Sequence, residues 1–462
     1  MTKSARYPNS LFYCWLAILV WSPLPVASNR PWALALLIML CVLLSFLTLA
    51  YSLWKKMPVL ELLRPYAVPV TLLGILAAWT SIQLLPIPLD VLTTISPNAA
   101  EIWTATGTSK APITLTPSRT TLMSAWSWLL WFYVCLAFLF LDNGNRVQQT
   151  CMVIVYSGVF QALYGSFMTL TGLEYSFFFE KEFYRGVATG TFVNRNHLAG
   201  YLEMCLAVGI GMLVATLKHG RHQNWRSQMR SILDAMLGAK LRLRIFLALM
   251  VIALVLTHSR MGNSAFFTSL MICGLLWMIL QRKLHKGAII LFVSLVLIDT
   301  LIVGQWFGFQ EVVDRIENTS ADRETRDEVV RDTIVMIRNY PVTGTGLGSY
   351  ASAFQQFQGP DVIGFYDHAH NDYLQFTAEL GLIGMTPLAI LVALSLWKSV
   401  LTMFRRRDNL YKGVAFASTM GIISLLIHST VDFNLQMPAN AQLFVCILAF
   451  AWIASALKHE HH

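Results

Sequence analysis

Charge is what this chain has least of. Asp, Glu, Lys and Arg make up 13% of its 462 residues, where a soluble protein carries about a quarter. That excludes a water-soluble domain. Cysteine is also sparse. The seven, at 14, 41, 135, 151, 205, 273 and 446, fall in apolar stretches and read as buried small hydrophobes, not a disulfide framework. A nucleotide loop is missing too. The run Gly344-Thr345-Gly346-Leu347-Gly348 lacks the lysine and the preceding strand of a phosphate-binding loop, so a turn is expected there. No low-complexity linker splits the chain, and no internal repeat is evident. One integral membrane domain over 1–462 is expected.

What is present is apolar: 56% of the residues are hydrophobic. A spanning helix needs about 20 largely apolar residues. Twelve stretches qualify: 11–28, 32–54, 66–86, 121–141, 147–171, 197–217, 245–259, 264–281, 287–307, 372–397, 413–430 and 441–457. The expectation is an all-α polytopic membrane protein. The first stretch contains Pro23 and Pro25 and has a poor cleavage pattern, so it reads as a span rather than a signal peptide. With the N-terminus inside, 22 of the 34 Lys and Arg residues lie on the cytoplasmic side. This is the positive-inside bias, and it predicts two cytoplasmic termini. It also accounts for the net charge of +9. The basic loops fit anionic lipid headgroups and give no reason to invoke nucleic acid.

Four external segments result: 87–120, 172–196, 308–371 and 431–440. The large loop 308–371 contains an amphipathic pattern from Arg323 to Asn339. Val329, Val330, Ile334 and Ile337 alternate there with charges, which predicts a short helix on the membrane or the bundle. Pro341 and the glycines after it end the pattern.

The most informative segment is His368-Ala369-His370-Asn371-Asp372-Tyr373, running into Glu379-Leu380-Gly381-Leu382-Ile383-Gly384. Polar groups at the mouth of a membrane helix point to function. Five histidines, His197, His258, His368, His370 and His428, sit on this external side. A neutral imidazole suits a general base. Each could also satisfy a helix-end carbonyl; His370 is the strongest candidate for chemistry. Arg195 and Arg260 stand at external span ends. They either snorkel to headgroups or form a bidentate clamp on pyrophosphate. Asp367, His368, His370 and Asp372 resemble a metal cluster but lack a further defined ligand, so no metal is expected. Asp432, in the piece from His428 to Asn440, either contacts a sugar or caps helices. Tyr366, Tyr373 and Phe433 offer sugar-stacking faces or are interface residues.

These residues resemble the O-antigen ligase and O-antigen polymerase superfamily of bacterial inner-membrane glycosyltransferases. The family signature is His, a small polar residue, nine residues and Gly-x-x-Gly. Here it reads His370-Asn371, Asp372 to Leu380, then Gly381-Leu382-Ile383-Gly384. Gly190-Thr191-Phe192-Val193-Asn194-Arg195-Asn196-His197, Ser259-Arg260 and Asn339 to Gly348 are similar to family members as well. The resemblance implies a glycan on undecaprenyl pyrophosphate as donor and a transfer without metal, nucleotide or other cofactor. It implies His370 as the base and Arg195 and Arg260 on the leaving pyrophosphate. His197, His368, Asn371, Asp372, Tyr373, Glu379, His428 and Asp432 are expected to contact substrate. Expected partners are the lipid-linked oligosaccharide, the bilayer, a glycan or lipid A–core acceptor, and polysaccharide assembly proteins. Polymerisation of a surface polysaccharide is the expected activity. Ligation to lipid A–core is the alternative, and a lipid-linked glycan flippase is the alternative of another class. A protein-glycosylating branch usually carries a further C-terminal region; the end at His462 counts against it.

Overall fold

In lipid, a backbone must close its hydrogen bonds internally, and an apolar run does this as a helix. The chain follows that rule. A computed structural model describes residues 6–176, 179–216, 239–280, 326–362 and 364–457. Its long helices are α1 (Asn9–Trp21), α2 (Pro31–Trp54), α3 (Val59–Ile82), α4 (Pro117–Phe140), α5 (Gly144–Thr171) and α6 (Arg195–Ala215). They continue as α7 (Ala239–Leu256), α8 (Arg260–Leu280), α9 (Arg326–Asn339), α10 (Asp372–Arg405), α11 (Asn409–His428) and α12 (Pro438–Ala456). Strands among the described residues are two-residue pairs at Ile87–Pro88 with Lys110–Ala111 and at Tyr175–Ser176 with Phe179–Glu180. Nine of the described helices are long and apolar enough to cross a membrane. The protein is an all-α polytopic membrane protein. The expected span at 287–307 and the loop up to residue 325 lie outside the described residues.

Three expectations need correction. The first span is shorter than 11–28. Its helix α1 has 13 residues, about 20 Å at 1.5 Å per residue. Pro23 and Pro25 cannot donate to the ladder and stop it, and Val26, Ala27 and Ser28 then turn through positive φ of 55°, 55° and 57°. Cys14, on this helix, is exposed rather than buried. The amphipathic helix starts its described part at Arg326 and buries a different face. Val329, Asp332, Thr333 and Met336 point inward, while Ile334 is exposed. The reason is polar: Thr333 bonds the Tyr350 hydroxyl at 2.7 Å, and Asp332 accepts from the Gly359 amide at 2.8 Å.

The core lies where α6, α11 and α12 meet, since these helices are buried on nearly every side. At Gly211 and Gly413 their backbones touch: a Cβ on either glycine would strike the other's carbonyl oxygen. Small residues at such a crossing let helices pack closely in lipid. Peripheral α2 instead leaves Met39, Leu43, Phe46 and Leu53 exposed, as a lipid-facing surface should.

Helix α10 is broken by design of the sequence. At Gly381 the backbone takes φ 62°, ψ −175°, a region open essentially to glycine alone. The Pro341–Gly348 turn docks into this break. Leu382 and Ile383 donate to the carbonyls of Pro341 and Val342, at 3.0 and 3.2 Å, while Thr345 and Gly346 donate to those of Ala378 and Glu379, at 3.0 and 2.9 Å. Trp79 Nε1 donates to the Leu380 carbonyl at 2.8 Å. Backbone groups freed by the break are thus satisfied. The glycine run is a turn, as its sequence predicts.

Candidate functional site

The site is assembled at the N-terminal end of α10. Asn371 caps that helix: its Oδ1 accepts from the Leu374 amide at 3.1 Å, and its Nδ2 donates to the Thr430 carbonyl at 2.8 Å. The Asp372 amide donates to the carbonyls of Ser429 and Asp432, both at 3.1 Å. Its carboxylate accepts from Ser429 Oγ at 2.8 Å and from the Leu435 amide at 3.1 Å. These bonds fasten the helix mouth to the turn at residues 429–435. His370, just ahead of them, sits at φ 50°. The left-handed backbone costs an L-residue about 1–2 kcal/mol, which the fastened turn sustains.

Phe433 is the centre of the constellation. The His368 ring stacks on it with centroids 4.1 Å apart. His370 and His197 meet it edge-to-face at 4.9 and 4.6 Å. Phe433 is therefore an enclosed wall among imidazoles rather than an open sugar platform. Its amide donates to its neighbour Asp432 at 2.8 Å. Asp432 Oδ1 lies 3.7 Å from His197 Nε2, and Oδ2 lies 3.8 Å from His428 Nε2. Tyr366 presents its ring to His370 at 6.1 Å, and the Tyr373 hydroxyl donates to the Leu426 carbonyl at 2.7 Å.

Electrostatics sorts these groups. Burial pushes the His370 imidazole below its usual value, the Arg326 guanidinium adds to this, and Asp432 and Asp367 oppose it. His370 is thus neutral at pH 7, the form a general base needs. Burial takes His368 further, down to about 4, against Asp367 and a bond to Gln375. Burial acts to raise the Asp432 carboxyl, yet its contact with His197 and the charge of His428 hold it well below the usual carboxylate range.

Basic groups stand nearby. Arg195 opens α6 with its guanidinium 5.7 Å from the Tyr184 ring centre. The charges of Arg195, Asp432 and Arg326 all act on Tyr184. Arg260 is exposed at the start of α8. That first turn packs on α6, since a Cβ on Gly262 would lie 2.6 Å from Ala199. No described contact joins Arg260 to the Phe433 cluster; His258, in the turn between α7 and α8, has a φ of 51°.

Other predicted residues are occupied in holding the fold. Glu379 is fully buried. It accepts from the amides of Gly348 and Tyr350 at 2.9 and 3.2 Å, and from Gln375 Nε2 at 3.3 Å. Gln375 bonds His368 Nδ1 and the Ala369 amide. Glu379 is therefore a strut beneath the glycine turn and one step from His368. Among the described residues no group of three or more His, Cys, Asp or Glu side chains could hold a metal ion.

Two charged residues were missed by the sequence reading. Glu203 lies fully buried inside α6. Its carboxylate accepts from Ser424 Oγ at 2.5 Å and pairs with His428 Nδ1 at 2.7 Å. An acid at the centre of a spanning helix costs about 2.5–3.5 kcal/mol, so a lone Glu in span 197–217 was the available signal. Arg326 was seen only as a charge on an amphipathic helix.

Below the cluster, an apolar cavity of about 340 Å³ opens between α10 and α11. It runs from Asp372, Tyr373 and Ser429 down to Val392 and Leu396.

At one end of the helical bundle, then, His197, His368 and His370 gather on Phe433 with Asp432 beside it. Residues 245–389 match the family model for O-antigen ligase, so over this stretch the chain is similar to that family. The match takes in Arg260, the glycine turn, His370 and the Gly381–Gly384 signature, and leaves Arg195, His428 and Asp432 outside it. No curated protein sequence matches the chain.

Proposed function

We propose that the chain transfers a glycan from undecaprenyl pyrophosphate to an acceptor hydroxyl, and that it polymerises a surface polysaccharide. The convergence of His370 with His197, His368 and Asp432 around Phe433 carries this reading. His370 takes the proton from the acceptor hydroxyl. The acceptor oxygen attacks the anomeric carbon with inversion, and the bond from that carbon to the pyrophosphate oxygen breaks. Arg195 and Arg260 receive the developing charge on the pyrophosphate. Arg326, whose charge acts on both Tyr184 and His370, is a third cation for that role. The sugar pyrophosphate supplies the driving force, so no metal or nucleotide is required.

The apolar cavity beneath Asp372 supports a lipid-tailed donor: its wall is hydrocarbon, and Asp372 at its upper end follows His370 closely in the chain. The bias of Lys and Arg supports a periplasmic site in the inner membrane, with both termini cytoplasmic. The flippase reading has one observation in its favour, the acid Glu203 inside a span, because transporters place ionisable groups there. That acid is already bonded to Ser424 and His428, which favours the enzyme.

The deciding experiment uses the purified chain with a lipid-linked oligosaccharide and a chelator, and offers two acceptors: a second lipid-linked unit or lipid A–core. Longer lipid-linked glycan supports the polymerase. Transfer only to lipid A–core makes it a ligase. No transfer to either, with movement of donor across liposomes, makes it a flippase.

A further inference from the structure

Glu203 is eight residues into α6, about 12 Å below the helix start at 1.5 Å per residue. It is too deep to meet an acceptor hydroxyl at the Phe433 cluster directly. Yet a series of polar groups leads from it to that cluster, hydrogen-bonded at its Glu203 end and in ion-pair range at Asp432. Ser424 and His428 stand four residues apart on one face of α11, and both reach the Glu203 carboxylate, at 2.5 and 2.7 Å. The other ring nitrogen of His428 faces Asp432 at 3.8 Å. Asp432 faces His197 at 3.7 Å and accepts the Phe433 amide at 2.8 Å. Phe433 then carries the rings of His368 and His370.

Every member from Glu203 to Asp432 is buried, with Glu203, Ser424 and His428 wholly so. In such surroundings removing one polar group disturbs its neighbours, and the Nε2 atoms of His428 and His197, which make no hydrogen bond, face Asp432 at 3.8 and 3.7 Å. Charged and titratable groups face the series from each packed element: Glu203 and His197 from α6, Asp372 from α10, His428 from α11, and His368, His370 and Tyr184 from the loops. Asp372 is bound to Ser429 and the Leu435 amide, so it anchors the turn and leaves His428 to Glu203.

We propose that Glu203 is a positioning residue for the transfer site: through His428 it holds Asp432, and through Asp432 it fixes the Phe433 wall that aims His370. The acid therefore serves the chemistry from inside the membrane without touching substrate. The inference rests on the transfer reading above.

The test compares steady-state transfer by the purified full chain and its variants, using lipid-linked oligosaccharide extracted from the expressing cells. Glu203→Gln keeps the size and one bond to Ser424 but removes the carboxylate. Its kcat should fall about tenfold or more while the donor KM stays within about twofold, since the loss is of aim and not of binding. Asp432→Asn combined with Glu203→Gln should lose little more than Asp432→Asn alone, because both act along one series. Ser424→Ala should lower kcat severalfold, and Ser424→Thr should restore it. Thermal inactivation in detergent should stay within a few degrees of the parent for the Ser424 variants. A native kcat for Glu203→Gln, or additive losses in the double variant, overturns the proposal. If Glu203→Gln does not fold, a native kcat for Ser424→Ala has the same force. No transfer by the parent chain would instead refute the transfer reading, and an active His370→Ala variant would remove only His370 as its base, separate outcomes in the same assay.

Discussion

Replacing Gly381 by alanine should damage this protein more than any other single methyl group added to the signature. Gly381 holds φ 62°, ψ −175°, and an L-residue forced into that region costs about 1–3 kcal/mol. The new Cβ would also strike the Val342 carbonyl and approach the Gly344 amide nitrogen to 2.5 Å. Both are backbone atoms of the docked turn, so neither can rotate aside, and overpacking of this kind adds about 1–3 kcal/mol. Together the cost is about 2–6 kcal/mol, enough to expel the turn. Expelling it frees Glu379 and, through Gln375, His368. Gly384→Ala is the internal comparison. Its Cβ would meet the Trp79 side chain at 2.7 Å, and a side chain can shift, so the loss should be smaller. Gly107→Ala is the control for positive φ alone, since nothing lies within 4 Å of its Cβ. The assay is residual transfer activity after heating in detergent, read beside the initial rate. The order of damage should be Gly381, Gly384, Gly107. A Gly381→Ala protein with native heat resistance and rate would refute the claim that the turn is locked into a glycine-only break.

Three other predictions concern charge. Arg326→Gln removes a cation that lowers the His370 imidazole; the pKa of the base rises, so the acid limb of the pH–rate profile should move to higher pH, and an unmoved limb would detach Arg326 from the site. Arg195→Lys and Arg260→Lys keep charge but lose the fork, so each should cost about ten- to a hundredfold in rate if it clamps pyrophosphate; full activity in both would make them headgroup anchors. For topology, in a Cys14→Ser background, a cysteine at exposed Glu182 should react with an impermeant thiol reagent from the periplasm and one at exposed Arg407 should not; the reverse pattern would invert the orientation.

Much of the fold was legible because lipid forces apolar runs into helices, and their lengths were readable directly. Where a run ends was less so. The first span was drawn through Pro23 and Pro25, although prolines break a helix, and the structure stops it at Trp21. The apolar pattern does not report the inward face of α9, because Thr333 and Asp332 turn inward to bond Tyr350 and Gly359. At the site, the signature drew attention to His370 and to Gly381–Gly384 together. The structure separates them: the histidine faces the cluster, and Gly381 is the break that seats a turn. Glu379, Asp372 and Asn371 looked like substrate contacts because they are polar at a span mouth, yet each bonds the chain itself. Glu203 and Arg326 were overlooked because their significance comes from residues more than 40 positions away, at Ser424, His428 and His370, which no local pattern reports.

If His370 is the base of a glycan transfer driven by a lipid pyrophosphate, its removal must stop bond formation and leaving-group release alike. The most direct measurement is single-turnover transfer by purified parent and His370→Ala protein in nanodiscs, following glycan joined to acceptor and undecaprenyl pyrophosphate released together. The parent should give equal amounts of both products and His370→Ala neither, with donor binding retained. Native turnover by His370→Ala would contradict it.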